Sequence, residues 1–143
     1  MSSYPRIRSV VLDTTVPRAL AEFYRELLGL SYRPGDEPPP RGAPDPRGND
    51  WLVLRGDGIN LAFQYVDELP PATWPEGPVP QQLHLDTSVP TVAELDIQNE
   101  RALSLGARLL LDRSDDQEEP LRVYADLSGH PFCILVAPDS AAG

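Results

Sequence analysis

The feature that most constrains this chain is a short phrase stated twice. Val11–Pro17 reads VLDTTVP and His84–Pro90 reads HLDTSVP, identical at five of seven positions, with an offset of 73 residues from Val11 to His84. The order of elements around the phrase repeats as well. Before the first copy, Arg6–Asp13 is rich in β-branched and apolar residues, as a strand is. After it, Pro17 suits the first turn of a helix. Leu20, Phe23, Tyr24, Leu27 and Leu28 then recur at spacings of three and four, and Gly29 reads as the stop. Three short strands follow at Leu30–Arg33, Trp51–Arg55 and Ile59–Val66, with Gly56-Asp57-Gly58 as a tight turn.

The second half runs in the same order. Gln82–Asp86 reads as a strand, Pro90 as a helix start, and Ala93, Ile97, Ala102, Leu103 and Leu105 as the apolar positions before Gly106. Strands at Ala107–Leu111, Leu121–Asp126 and Phe132–Val136 complete it, with the turn at Leu127–His130. The stop glycines Gly29 and Gly106 are 77 apart against the phrase offset of 73, so the second helix is expected to be four residues longer, about one turn. The turn glycines Gly58 and Gly129 return to an offset of 71. Val16 and Val89 precede the two prolines and are poor caps, so Thr15 and Ser88 are expected to cap instead. Together these signals predict an α+β fold of two tandem βαβββ modules, about 5–67 and 80–137, within one domain spanning 1–143.

Composition narrows the partners. The 143 residues carry a formal net charge of −10, with acidic pairs at Asp115-Asp116 and Glu118-Glu119, which excludes a phosphate backbone as a natural partner. No apolar run approaches the roughly 20 residues needed to span a bilayer. The opening MSSYPRIRSVV lacks a long apolar stretch before a small-residue cleavage site, so a cytoplasmic location is expected. The single cysteine, Cys133, precludes an internal disulfide and a cysteine-rich zinc site. The 17 prolines concentrate in Pro34–Pro46 and Pro70–Pro80, marking two long irregular loops between patterned segments.

Three stretches carry a family resemblance. The segment ending in AEFYRELLGL resembles the opening strand–helix of vicinal oxygen chelate proteins, with its FYxxxLG helix. YADLSGHPFCIL resembles their closing DPxGxxxEL hairpin, with Cys where many members have Glu, and WPEGPVPQQLHLD resembles the linker and fifth strand of the glyoxalase-like subfamily. The likeness covers most of the chain apart from the Pro34–Pro46 insert. It implies that the two modules form a curled mixed sheet around a cleft, and that the protein forms a homodimer. It also implies a divalent metal in the glyoxalase, epimerase and ring-cleaving dioxygenase members, or metal-free drug binding as in the bleomycin-resistance members.

The metal ligands of the family come from the first and last strand of each module, which here places them at Ser9, Ala62, Gln82 and Cys133. Ala62 has no donor atom, Ser9 and Gln82 are weak neutral ligands, and Cys133 within FCILV reads as a small buried core residue. No cofactor is therefore expected. Alternation along the strands puts Ser9 and Asp13 on one face of the first module, with Gln64 from the fourth strand, and Gln82, His84 and Asp86 on the equivalent face of the second. Phe63 and Tyr65, of opposite parity, are expected in the core, and His130 at the surface. Trp74 lies in the proline-rich linker and reads equally as a loop anchor or as an aromatic wall. The expected ligand-binding set is therefore Ser9, Asp13, Gln64, Trp74, Gln82, His84 and Asp86. Three functional readings stay open: a small-molecule binder of the antibiotic-sequestering kind; a lyase, isomerase or dioxygenase using His84 and Asp86 in acid–base chemistry or in a rearranged metal site; or a module whose dimerisation or partner contact matters more than any ligand.

Overall fold

In the computed structural model, which describes residues 4–138, the chain divides after Leu69 into two compact units, so the proline-rich linker belongs with the second. The first unit contains β1 (Ser9–Thr14), α1 (Pro17–Leu28), β2 (Ser31–Tyr32), β3 (Trp51–Arg55) and β4 (Asn60–Tyr65). The second contains β5 (Leu85–Val89), α2 (Val92–Ser104), β6 (Arg108–Arg113), β7 (Leu121–Ala125) and β8 (Pro131–Val136). Each unit is a βαβββ module with one four-stranded mixed sheet, in the orders β1-β4-β3-β2 and β5-β8-β7-β6. The first and last strands of each module run parallel, and the remaining pairs are antiparallel.

In the first module, α1 starts at Pro17 and ends at Gly29, which adopts the left-handed conformation. Leu20, Phe23, Tyr24 and Leu27 are buried against the sheet, and Tyr24 stacks on Phe63 with ring centroids 6.1 Å apart. Tyr65 departs from expectation: it is 42% exposed, because the end of β4 runs past the helix that covers Phe63. Val16 makes no side-chain cap, and neither does Thr15. The buried Thr14 hydroxyl accepts from the Val16 N–H at 2.9 Å.

The Pro34–Pro46 insert is tied down by charge. Asp36 is completely buried, and its carboxylate accepts from Arg33 Nε (3.1 Å), Arg47 Nη1 (2.9 Å) and the backbone N–H of Val53 in β3 (2.9 Å). Arg18 on α1 donates to both oxygens of Asp45 and to the carbonyl of Asp36, and lies over the Tyr32 ring. The insert is thus strapped to β3 and α1 rather than left as a loose loop.

The second module departs from its expected boundaries in one consistent way. β5 ends at Val89 where β1 ends at Thr14, and α2 begins at Val92 where α1 begins at Pro17; both offsets are 75, two more than the phrase predicts. The cause is the cap. Thr91, not Ser88, caps α2 by accepting from the Glu94 N–H at 3.1 Å, in a Thr-x-x-Glu arrangement that outcompetes a start at Pro90. Ser88 lies within β5. Consequently α2 exceeds α1 by one residue, 13 against 12, and not by four. Its core contacts are Leu95 and Ala102, whereas Ile97 and Leu103 are largely exposed. On the sheet face beneath α2, Tyr124 stacks on Phe132 and donates to Asn99, and Arg122 pairs with Asp96 and Asp112.

Candidate functional site

The other face of the second sheet carries a cleft of about 270 Å³. Its floor is apolar: Val123 and Leu121 from β7, Cys133 and Leu135 from β8, and Leu111 from β6. Leu111 reaches the floor through an irregularity in the strand. Leu109 pairs with Tyr124 and Leu111 with Val123, so a β-bulge at Leu110 changes the side-chain parity and turns Leu111 and Arg113 to the cleft face. Without the bulge, those side chains would lie on the other face.

The polar rim comes from β5 and its approach. Asp86 pairs with Cys133 across the parallel ladder. His84 lies just before the strand, and its Nε2 is 3.4 Å from the Asp86 carboxylate. Both side chains are more than half exposed. Glu119 and Arg113 complete the rim, and Arg113 is ion-paired with Asp116 at 3.2 Å. Burial, reinforced by the charges of Asp86 and Glu119, pushes the Cys133 thiol up to about 11. The free thiol therefore stays protonated at neutral pH and is a poor nucleophile.

Trp74 forms the cleft's aromatic wall. Its loop is closed on itself: Thr73 N–H donates to the Val79 carbonyl at 2.7 Å, and Val79 N–H donates to the Thr73 hydroxyl at 3.1 Å. The loop is also docked on the hairpin before β8. Gly129 has φ +91°, and a Cβ there would stand 2.5 Å from that of Pro71, so only glycine allows the linker to lie this close. The same hairpin is pinned by Asp126, whose fully buried carboxylate accepts from the backbone N–H groups of Ser128 and His130 and meets His130 Nδ1 at 2.8 Å. His130 is accordingly mostly buried, against the expectation of a surface residue.

Of the residues expected from sequence, the structure brings Trp74, His84 and Asp86 into this one cleft. Gln82 is exposed and does not line it; the neighbouring Gln81 does, because the two-residue slide of β5 leaves both glutamines ahead of the ladder. Ser9, Asp13 and Gln64 belong to the first module, where Ser9 pairs with Asn60 and Gln64 Nε2 donates to Asp13 Oδ1 at 3.3 Å. Gln81, Arg113 and Glu119 were not singled out in the sequence. The β-bulge and the Glu119 loop carry no periodic signal that would have marked them.

Of the positions equivalent to the family's metal ligands, Ala62 is fully buried and has no ligand atom, and Gln82 is exposed and does not line the cleft. Among the described residues, no three His, Cys, Asp or Glu side chains converge on a site that would hold a metal ion.

Two tandem βαβββ modules of matching strand order, with an open cleft on a sheet face, define the glyoxalase and bleomycin-resistance class of proteins. The sequence agrees: residues 9–135 match the model of the glyoxalase-like domain, and the chain belongs to that family. Among curated proteins none matches significantly. Similar solved structures include a glyoxalase/bleomycin resistance protein/dioxygenase family enzyme from Burkholderia phytofirmans PsJN, with 15% identity, TM-score 0.68, and coverage of 92% of this chain and 98% of that one. The fosfomycin resistance protein FosX from Listeria monocytogenes matches at 15% identity, TM-score 0.65, over 96% and 94%. Lactoylglutathione lyase from Agrobacterium tumefaciens matches at 18% identity, TM-score 0.60, over 96% and 97%. At such identities the likeness is one of fold. No helix among the described residues is long and apolar enough to cross a membrane.

Proposed function

We propose that the protein binds and sequesters a small antibiotic-like molecule without a metal ion, in the cleft of its second module, as a cytoplasmic homodimer. The observation that carries this reading is the cleft itself: an apolar floor, an aromatic wall at Trp74 and a polar rim at His84 and Asp86, in a chain whose family metal positions lack suitable donors. One solved protein of this fold is described as a fosfomycin resistance protein, which supports a protective role, and another as a glyoxalase/bleomycin resistance protein/dioxygenase family enzyme. The test has two arms. Untagged protein incubated with nickel, zinc, manganese and iron(II) salts and desalted should retain no stoichiometric metal by mass spectrometry. A thermal-shift screen of aromatic antibiotics should then give saturable stabilisation without turnover, lost in Trp74→Ala. Stoichiometric metal that disappears in His84→Ala would overturn the proposal.

The His84–Asp86 contact of 3.4 Å favours a second reading, in which His84, oriented by Asp86, moves a proton on the bound molecule. Turnover of a dicarbonyl–thiol adduct or a catechol, abolished in His84→Ala with binding retained, would distinguish it. Light scattering checks the dimer directly.

A further inference from the structure

The second-module cleft is unbalanced in charge and in hydrogen-bonding groups. Two carboxylates, Asp86 and Glu119, stand on its lining, the first with the His84 imidazole of the same lining 3.4 Å away. Both act through their charge on the Cys133 thiol, which fixes them as neighbours of the same part of the floor. The arginine on the lining, Arg113, already faces Asp116, which is not part of the lining. A further acceptor is waiting: the Gln81 amide oxygen is buried and has no hydrogen-bond partner among the described residues. Buried acceptors are satisfied in folded proteins by a protein donor, a water or a ligand. Gln81 lines the cleft, so an N–H brought by a bound molecule meets that need. Beside these acceptors are the Trp74 ring and the apolar floor at Leu121 and Val123. Aromatic faces attract cations as well as flat apolar rings.

Resting on the binding role proposed above, we infer that the ligand of this cleft is an organic cation: a flat apolar body carrying a protonated, N–H-bearing amine. The body lies on the floor against Trp74, the charge faces Asp86 and Glu119, and an N–H donates to the Gln81 oxygen. An anion of the same shape meets two carboxylates and an orphaned acceptor, and is rejected.

The test uses the full chain and two probes of nearly the same shape, 9-aminoacridine, which is cationic near neutral pH, and acridine, which is neutral there. Binding is followed by the fluorescence of the probes. 9-Aminoacridine should bind about tenfold tighter than acridine at low ionic strength, a preference that shrinks as salt is added. In the double variant Asp86→Asn, Glu119→Gln the preference should vanish, with 9-aminoacridine weakened about tenfold relative to acridine in the same variant; circular dichroism checks that the variant is folded. Equal or tighter binding of acridine would overturn the inference, as would a cation preference that survives in the double variant. If neither acridine binds while a neutral or anionic library compound stabilises the wild type but not Trp74→Ala, the cation inference fails and the binding role stands. If no compound of any charge stabilises the protein, both fail.

Discussion

Cys133 gives the sharpest test of the cleft, because its ionisation reports both the burial of the floor and the charge on the rim. Burial, followed by the carboxylates of Asp86 and Glu119, raises the thiol from 9.0 to about 11. At about pH 8 this lowers the thiolate fraction roughly 100-fold. A more basic thiolate is intrinsically more reactive, with a Brønsted slope of about 0.4–0.5, which returns somewhat less than a factor of ten. Reaction with 4,4′-dithiodipyridine should therefore be slower in the folded protein by roughly tenfold from ionisation, with limited access to the buried sulfur slowing it further. The shape of the profile separates the two causes. In urea-unfolded protein the rate should level off above about pH 9, whereas in the folded protein it should still be rising at about pH 10. Circular dichroism confirms folding at each pH. A plateau below about pH 10 in the folded state would refute both the raised thiol and the acidic rim. The same shift is a stability statement: the folded form holds its proton more tightly, so this contribution is intact below about pH 9 and is lost between about 9 and 11. Tyr32 and Tyr124, both pushed up to about 12 mainly by burial, extend the loss in the same direction. Urea midpoints should therefore fall across this alkaline window.

Three further outcomes follow from the framework around the cleft. Asp36→Ala orphans the buried Val53 N–H and breaks two pairs with partly exposed arginines, so it should cost about 2–4 kcal/mol in urea unfolding, most of it from the backbone donor. Gly129→Ala should cost about 1–3 kcal/mol, since the residue holds a positive φ and meets Pro71. In a Trp51→Phe background it should also shift the emission of Trp74, and an unchanged spectrum would show that the hairpin does not position the wall. Thr91→Ala should cost about 1 kcal/mol, while Ser88→Ala should leave α2 intact; the reverse result would contradict the Thr91 cap.

The repeat made the architecture legible, and the limits of that reading have physical causes. Element order and strand partners follow from hydrophobic period and from the stop and turn glycines, which act locally. The start of α2 does not, because the adjacent Pro90 and Thr91 signal starts two residues apart, at Pro90 and at Val92, and the side-chain cap at Thr91 prevails. Of the apolar positions expected in α2, Ala102 is buried but Ile97 and Leu103 are exposed, and Leu95 was missed: a short helix with few large apolar residues leaves its phase to tertiary contacts. His130 looked like a solvated turn residue, since its partner Asp126 lies across the hairpin bend and nothing in the sequence marks the bond. Strand parity and linker composition singled out His84, Asp86 and Trp74, which line one cleft. Gln81, Arg113 and Glu119 were not, since a slide, a bulge and an irregular loop deliver them.

The slide of β5 also changes what stands beside the acid of each repeated phrase. Measured from the turn glycines, Ala62 and Cys133 occupy the same place in their strands, each four residues beyond Gly58 or Gly129. Their partners differ: Ala62 is opposite Val11, whereas Cys133 is opposite Asp86, the residue equivalent to Asp13 in the repeated phrase. A shift of two residues preserves the face on which every side chain stands, so it changes neighbours without turning the strand inside out. In the first module the unshifted register sets Asp13 beside Gln64, and the two polar groups satisfy each other at 3.3 Å. In the second, the register sets Ser88 beside Leu135 and Asp86 beside a protonated thiol, neither of which neutralises a carboxylate. The acid is left on a rim above an apolar floor, with His84 Nε2 3.4 Å away. Two copies of one phrase thus yield a paired acid in one module and an acid on a cleft rim in the other, through a two-residue difference in strand register.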